Sequence, residues 1–121
     1  MSATPHIGIV TGANKGLGLA IVRQLALQYP SSALYENDGG KGLLIYLTAR
    51  DKGRGEAAVK FLEEEDPLLK KMGALRRNRG STEIRFHPLD IRDTMSIRGF
   101  RDYLGREHSG GVDFVVNNAG G

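Results

Sequence analysis

The sequence contains no cysteine, which removes a disulfide framework, a thiol nucleophile and a thiolate metal site in one step. The same absence fits a reducing compartment, so the cytoplasm is the expected location. Long hydrophobic runs are missing too: no stretch approaches the roughly 20 apolar residues that a membrane-spanning helix needs. The first residues, Met1-Ser2-Ala3-Thr4-Pro5-His6, are short and polar, and no signal or transit peptide is visible in them. Histidine is scarce. His6, His87 and His108 stand without ligand spacing, so no metal site is expected. There is no internal repeat and no low-complexity tract. The formal charge of +3 and a pI near 9.4 suit an anionic ligand but are ordinary for a solvated surface. Neither nucleic acid nor membrane is therefore an expected partner.

What is present is 121 residues with 40% hydrophobic content, enough to bury the core of one domain or of part of one. Ile7-Gly8-Ile9-Val10 is a short apolar run that breaks into glycines, as a buried strand feeding a turn would. From Leu17 the apolar residues Ala20, Ile21, Leu25 and Leu27 recur at near-helical spacing until Pro30 closes the segment. The pair then repeats. Leu43-Leu44-Ile45-Tyr46-Leu47 predicts a second strand, and Ala57, Ala58, Phe61 and Leu62 a second helix ending near Asp66-Pro67. A third strand is expected over residues 84–89, a third helix with Ile97, Phe100 and Leu104 on one face, and a fourth strand over residues 112–116.

The order βαβαβαβ requires crossover connections, which are right-handed almost without exception and give a parallel sheet covered on both faces. This is the doubly wound α/β class, here with four strands. Residues 31–42 and 66–82 are longer than compact connections and read as surface insertions. The second carries Lys70, Lys71, Arg76, Arg77 and Arg79, and the expectation is a solvated, mobile loop, with a partner-docking surface as the alternative. Both precede a strand. They should therefore lie at the N-terminal ends of the strands, away from the end where such sheets bind ligands.

Thr11-Gly12-Ala13-Asn14-Lys15-Gly16-Leu17-Gly18 falls between a predicted strand and a predicted helix, the context that makes a glycine pattern a phosphate site. Gly12 would permit the sharp exit from the strand. Gly16 would let backbone approach a pyrophosphate, Gly18 would let the helix pack on the sheet, and the helix start would supply N–H donors. Asn14, Lys15 and Leu17 complete the candidate contacts in this loop.

The threonine-led spacing T-G-x-x-x-G-x-G, with Asn117-Asn118-Ala119-Gly120 after the fourth strand, resembles the short-chain dehydrogenase/reductase family. Residues 10–22 (VTGANKGLGLAIV), 47–51 (LTARD), 86–91 (FHPLDI) and 96–98 (SIR) are similar to its monomeric, NADPH-dependent carbonyl reductases. The resemblance implies a Rossmann-type sheet and NADP(H) as cofactor. It also implies that Asp90 meets the adenine amino group, that Ile91 meets the ring through its backbone, and that Asn117, Ala119 and Gly120 line the nucleoside crevice. A turn or capping aspartate is the alternative for Asp90, and a strand-end residue holding neighbouring backbone is the alternative for Asn117.

Cofactor choice can be argued physically. NAD-binding proteins place a carboxylate at the end of the second strand to accept bonds from the ribose hydroxyls, whereas here Ala49 is followed by Arg50. Arg50 can hold a 2′-phosphate through its planar fork, and Lys15 can add a second cation. If the turn rotates so that Asp51 faces the ribose instead, the preference weakens.

In this family a tyrosine, with a lysine four residues later, protonates the carbonyl oxygen while a serine orients it. Here Ala33, Gly39, Arg50 and Glu107 stand four residues after Tyr29, Tyr35, Tyr46 and Tyr103. No catalytic residue is assigned, and the chain alone is expected to be inactive. A carbonyl substrate would be met only by a full-length protein. A non-catalytic NADPH-binding module is the alternative function, and nucleic-acid binding through residues 70–79 is a third. A sheet truncated after its fourth strand would expose residues 112–116 as an apolar edge, which predicts self-association.

Overall fold

The computed structural model describes residues 4–32, 35 and 41–118. The first strand, β1 (His6–Val10), leads into helix α1 (Gly16–Gln28), which ends in a 3-10 turn at Tyr29–Ser31 where Pro30 halts it. Strand β2 (Leu43–Ala49), helix α2 (Lys52–Glu64) and the short helix α3 (Pro67–Met72) follow. Then come strand β3 (Thr82–Pro88), helix α4 (Thr94–Glu107) and strand β4 (Phe114–Val116).

All strands are parallel, in the order β3-β2-β1-β4. The fold is the doubly wound, Rossmann-type α/β sheet. Every residue of β2 is buried because it has a strand on each side and helices on both faces, which is why its sequence is continuously apolar. Its side chains nevertheless alternate. Leu43, Ile45 and Leu47 join the core formed with Val22 and Ala26 of α1 and Ala58 and Leu62 of α2, while Leu44 and Tyr46 join Ile7, Ile9 and Phe100 on the α4 face. β3 lies at an edge and is less covered: Thr82 and Ile84 are buried, whereas Arg85 and Pro88 are exposed.

The 66–82 connection differs from the expected mobile loop. Asp66 opens α3 by accepting bonds from the N–H groups of Leu68 (3.0 Å) and Leu69 (3.1 Å), Pro67 takes the first helical position, and Gly73 ends the helix at φ +58°. Leu69 and Leu75 are buried in the main core. Arg23 of α1 donates through Nε to Asp66 at 2.5 Å. Burial alone would raise the Asp66 carboxyl, but the bond from Arg23 and those from the α3 N–H groups outweigh it and hold the group below its ordinary value. The solvated part of the expectation survives at Lys70, Lys71, Arg76, Arg77 and Arg79, which are exposed.

In the 31–42 segment, residues 33, 34 and 36–40 lie outside the described residues. Its end is fixed by Gly42, whose N–H donates to the Tyr29 hydroxyl at 2.9 Å. The fourth strand is shorter than expected. Asp113 uses its side chain where the ladder would have continued, with Oδ2 accepting from the Ile7 N–H at 2.8 Å and Oδ1 lying 3.2 Å from His6 Nδ1. Burial would raise the Asp113 carboxyl, but the Ile7 N–H and His6 hold it below its usual range.

Candidate functional site

Beyond the C-terminal ends of the strands, where the chain leaves β1 toward β2 on one side and β4 on the other, a cleft of about 450 Å³ opens. Gly12, Asn14 and Lys15 line it from the loop after β1, Ala49 and Arg50 from the end of β2. Leu89, Asp90, Ile91 and Arg92 line it from beyond β3, and Asn118 from beyond β4. Six of the twelve candidate residues, Gly12, Asn14, Lys15, Arg50, Asp90 and Ile91, are thus brought together. Gly16, Leu17 and Gly18 begin α1 without lining the cleft, Leu17 being 69% exposed, and Asn117 lines a neighbouring apolar groove instead. Ala119 and Gly120 lie outside the described residues.

The glycine loop has a physical reason at each of its three glycines. Gly12 and Gly16 have φ of +60° and +59°, in the left-handed region that side chains disfavour. A Cβ on Gly16 would meet no atom within 4 Å, so its conformation is what demands glycine in the protein itself. Gly18 is the opposite case. A Cβ there would lie 2.5 Å from the Gly12 carbonyl oxygen, 2.7 Å from Ala13 Cα and 2.8 Å from Asn118 Nδ2. The loop is drawn back to the sheet by the Ala13 N–H, which donates to the Thr48 carbonyl at 2.9 Å. Lys15 occupies the N-cap position of α1 in extended conformation and supplies no side-chain cap, so the first N–H groups of the helix have no capping acceptor from it.

A second tether joins this loop to the fourth strand. The Thr11 hydroxyl donates to Asn117 Oδ1 at 3.0 Å and accepts from the Asn118 N–H at 2.9 Å, and Asn118 Nδ2 donates to the Gly12 carbonyl at 3.1 Å. Both asparagines therefore tie the loop after β1 to the end of β4. The Asn117 side chain bonds the Thr11 hydroxyl and the Asn118 side chain bonds backbone, and neither Thr11 nor Asn118 is among the candidate residues. Their partners stand more than 100 residues away in sequence, so only the parallel pairing of β1 with β4 reveals them.

The charges of the cleft are asymmetric. Arg50 lines it, whereas Asp51 is withdrawn to cap α2, accepting the Arg54 N–H at 2.9 Å. The rotated turn that would have presented Asp51 does not occur. Neither Lys15 nor Arg50 forms an ion pair among the described residues. Asp90 is the one carboxylate among the cleft-lining residues, and it is a turn aspartate as well: its Oδ1 accepts from the Arg92 N–H (3.0 Å) and Nε (3.3 Å). Its own N–H donates to Ser96 Oγ at 2.9 Å. Arg92 and Leu89 were not among the candidates. At the opposite end of the sheet a smaller cavity of about 260 Å³ is lined by Lys41, Arg76 and Glu83, with Arg76 committed to Glu83 at 3.3 Å. It lies at the N-terminal strand ends, where no glycine loop meets a helix start.

Carbonyl reductase (NADPH) 1 of Homo sapiens is 43% identical to this chain over 120 residues, and carbonyl reductase (NADPH) 3 of the same species is 40% identical over 119. Menthone neomenthol reductase from Mentha piperita superposes with a TM-score of 0.65 at 30% identity, over 98% of this chain and 32% of its own. A short-chain type dehydrogenase/reductase from Mycobacterium ulcerans shares the fold, with a TM-score of 0.61 at 23% identity, over the whole of this chain and 34% of its own. Over nearly its whole length the chain is similar to members of the short-chain dehydrogenase/reductase family. The human alignments cover 99% and 98% of the chain, but it spans only about a third of the length of those curated relatives. No family model matches it. Among the described residues, no helix is long and apolar enough to cross a membrane and no group of His, Asp or Glu is arranged to hold a metal.

Proposed function

We propose that this chain is the NADP(H)-binding part of a carbonyl reductase-like dehydrogenase, a single Rossmann-type unit over residues 1–121. One observation carries the proposal: Arg50 and Lys15 line the same cleft at the strand switch while Asp51 is consumed as a helix cap. A 2′-phosphate needs cations and no facing carboxylate, and this arrangement offers both. NAD would want the reverse.

The residues fit the dinucleotide along its length. Gly18 holds α1 tight against the loop, so the uncapped start of the helix can present its N–H groups and dipole to a pyrophosphate. Gly12, Asn14, Gly16 and Leu17 form that loop. Arg50 and Lys15 would take the 2′-phosphate, and Asp90 and Ile91 the adenine. Asn117, Ala119 and Gly120 would border the nucleoside. Bound NADPH would supply a hydride to a ketone or aldehyde in a full-length protein. The residues of this chain bind and orient the nucleotide. Without a tyrosine followed four residues later by lysine, the chain by itself binds without turnover. The names of the curated relatives, carbonyl reductase (NADPH) 1 and 3, support this reading, as does the positive cleft.

The test is a titration of the purified chain with NADPH and NADH, followed by nicotinamide fluorescence. Tighter binding of NADPH that Arg50→Asp abolishes is the expected result. Equal affinities in both proteins would overturn the proposal.

A further inference from the structure

The 66–82 segment is a built knob whose charges are not consumed inside the fold. We propose that it is a docking surface for an acidic segment of another protein, one that carries apolar side chains between its carboxylates. The inference does not depend on the nucleotide reading, because the knob leads into the start of β3 and so lies at the end of the sheet opposite the cleft.

The cations set the first condition. Lys70, Lys71, Arg77 and Arg79 are exposed, and among the described residues their side chains form no hydrogen bond or ion pair; Arg76 is committed to Glu83. Asp66, the one acid between residues 66 and 82, is buried against Arg23, and the exposed Glu64 and Glu65 before it pair with none of these cations. Four unpaired cations attract a polyanion and repel a second basic surface.

Arg79 supplies a second observation. At φ +68° it is the one residue other than glycine in the left-handed region among the described residues, a conformation that suits glycine or asparagine better. The Arg79 N–H closes the turn onto the Arg76 carbonyl at 3.0 Å, a bond that glycine would make as well. The guanidinium is therefore held out at a cost to the backbone and serves nothing within the fold.

Apolar surface lies beside these charges. Leu68 and Met72, four residues apart on α3, are 51% and 65% exposed, whereas Leu69 points into the core. The end of α3 is pressed against residues 78–80: a Cβ on Gly73 would lie 3.5 Å from the Asn78 carbonyl oxygen, and one on Gly80 would lie 2.3 Å from that of Gly73. Met72 and Arg79 thus stand on adjoining turns of one surface. That pairing suits a protein partner, since the planar fork of arginine takes carboxylates and methionine adapts to apolar side chains. Residues 66–82 contain no aromatic ring on which a base could stack, and two apolar side chains on one six-residue helix do not make the continuous apolar face that embeds in lipid.

The experiment titrates the full 121-residue chain into two labelled synthetic peptides at low salt, one of repeating glutamate-glutamate-leucine units and one with glycine in place of leucine, and follows anisotropy. Wild type should bind the leucine peptide more tightly, and Met72→Gln should erase the difference. Arg79→Gly should weaken both by roughly tenfold, the loss of one charge-assisted hydrogen bond, while melting like wild type because glycine suits the turn. Arg98→Ala removes the same charge from α4, on the other face of the sheet, and should change neither affinity. Equal affinity for the two peptides, a loss in Arg98→Ala as large as in Arg79→Gly, or displacement of the peptide by NADPH would overturn the inference. So would tighter binding of a single-stranded oligonucleotide or of phosphatidylserine vesicles, or no binding at millimolar peptide.

Discussion

Replacing Gly18 with alanine places a methyl group 2.5 Å from the Gly12 carbonyl oxygen and 2.7 Å from Ala13 Cα. Both are backbone atoms of a loop already fixed by the Ala13 N–H bond to Thr48 and the Asn118 bond to Gly12, so neither can yield by a rotamer change. Overpacking of this kind costs about 1–3 kcal/mol. For a chain of this size each kcal/mol lowers Tm by about 4 °C, so the variant should melt about 4–12 °C below wild type. Gly16→Ala is the matched control. It adds the same methyl where nothing lies within 4 Å, and its cost is that of φ +59°, about 1 kcal/mol, which Gly16→Asn should halve because asparagine tolerates the left-handed region. Thermal melts by circular dichroism measure all three. If Gly18→Ala melts with wild type, or Gly16→Ala proves the more damaging, the close approach of helix to loop is wrong.

Three further outcomes follow from other parts of the fold. Asp66→Ala should cost about 2–4 kcal/mol in urea denaturation, since it uncaps α3 and strands Arg23, which is itself partly exposed. Because the folded Asp66 carboxyl is held below its unfolded value near 3.8, its contribution is present above that pH and is lost as the pH falls through the folded value; Asp66→Asn should flatten that part of the profile. His108 works on a different pH window. Its Nε2 lies 2.6 Å from the buried Tyr46 hydroxyl, and burial, then the charge of Arg85, press its pKa below 6.5 despite the opposing charge of Glu107. The unfolded state then binds more protons, so stability should fall as the pH drops from 6.5 toward the folded value, and His108→Gln should remove that slope. Finally, Val115 of β4 is 59% exposed beside a groove of about 320 Å³ lined by Ile9, Ile97 and Phe100. Among the described residues, β4 pairs only with β1. Sedimentation should show concentration-dependent association that Val115→Lys reduces, and a monodisperse wild-type monomer would count against it.

Much of this architecture is legible in the residues because apolar runs and glycine placement act locally. β1, β2 and the three longer helices follow from periodicity, and the glycine loop from its position between strand and helix. The 66–82 segment departs from the expected loop for a reason the sequence itself contains: Asp66-Pro67 reads as a helix end, yet an acid before proline is also how a helix begins, and Gly73 marks its close. Lys70, Lys71 and the arginines drew attention away from Leu69 and Leu75, which are core. Other features could not be read locally. The Thr11 clamp on Asn117 and Asn118 depends on β1 and β4 lying side by side, and the Asp113 bond to Ile7 depends on the register of the same pair. Arg92 escaped because no motif marks it; the turn geometry at Asp90 makes it visible.

The central claim is that this sheet carries a nucleotide cleft built for a 2′-phosphate. The most direct measurement is the ratio of NADPH to NADH affinity in wild type and Arg50→Asp. Hydrogen bonds to a charged group contribute about 1.5–3 kcal/mol, so wild type should bind NADPH roughly tenfold to a hundredfold more tightly and the variant should lose that preference. Equal affinity for the two nucleotides in wild type, or a preference untouched by Arg50→Asp, would contradict the account.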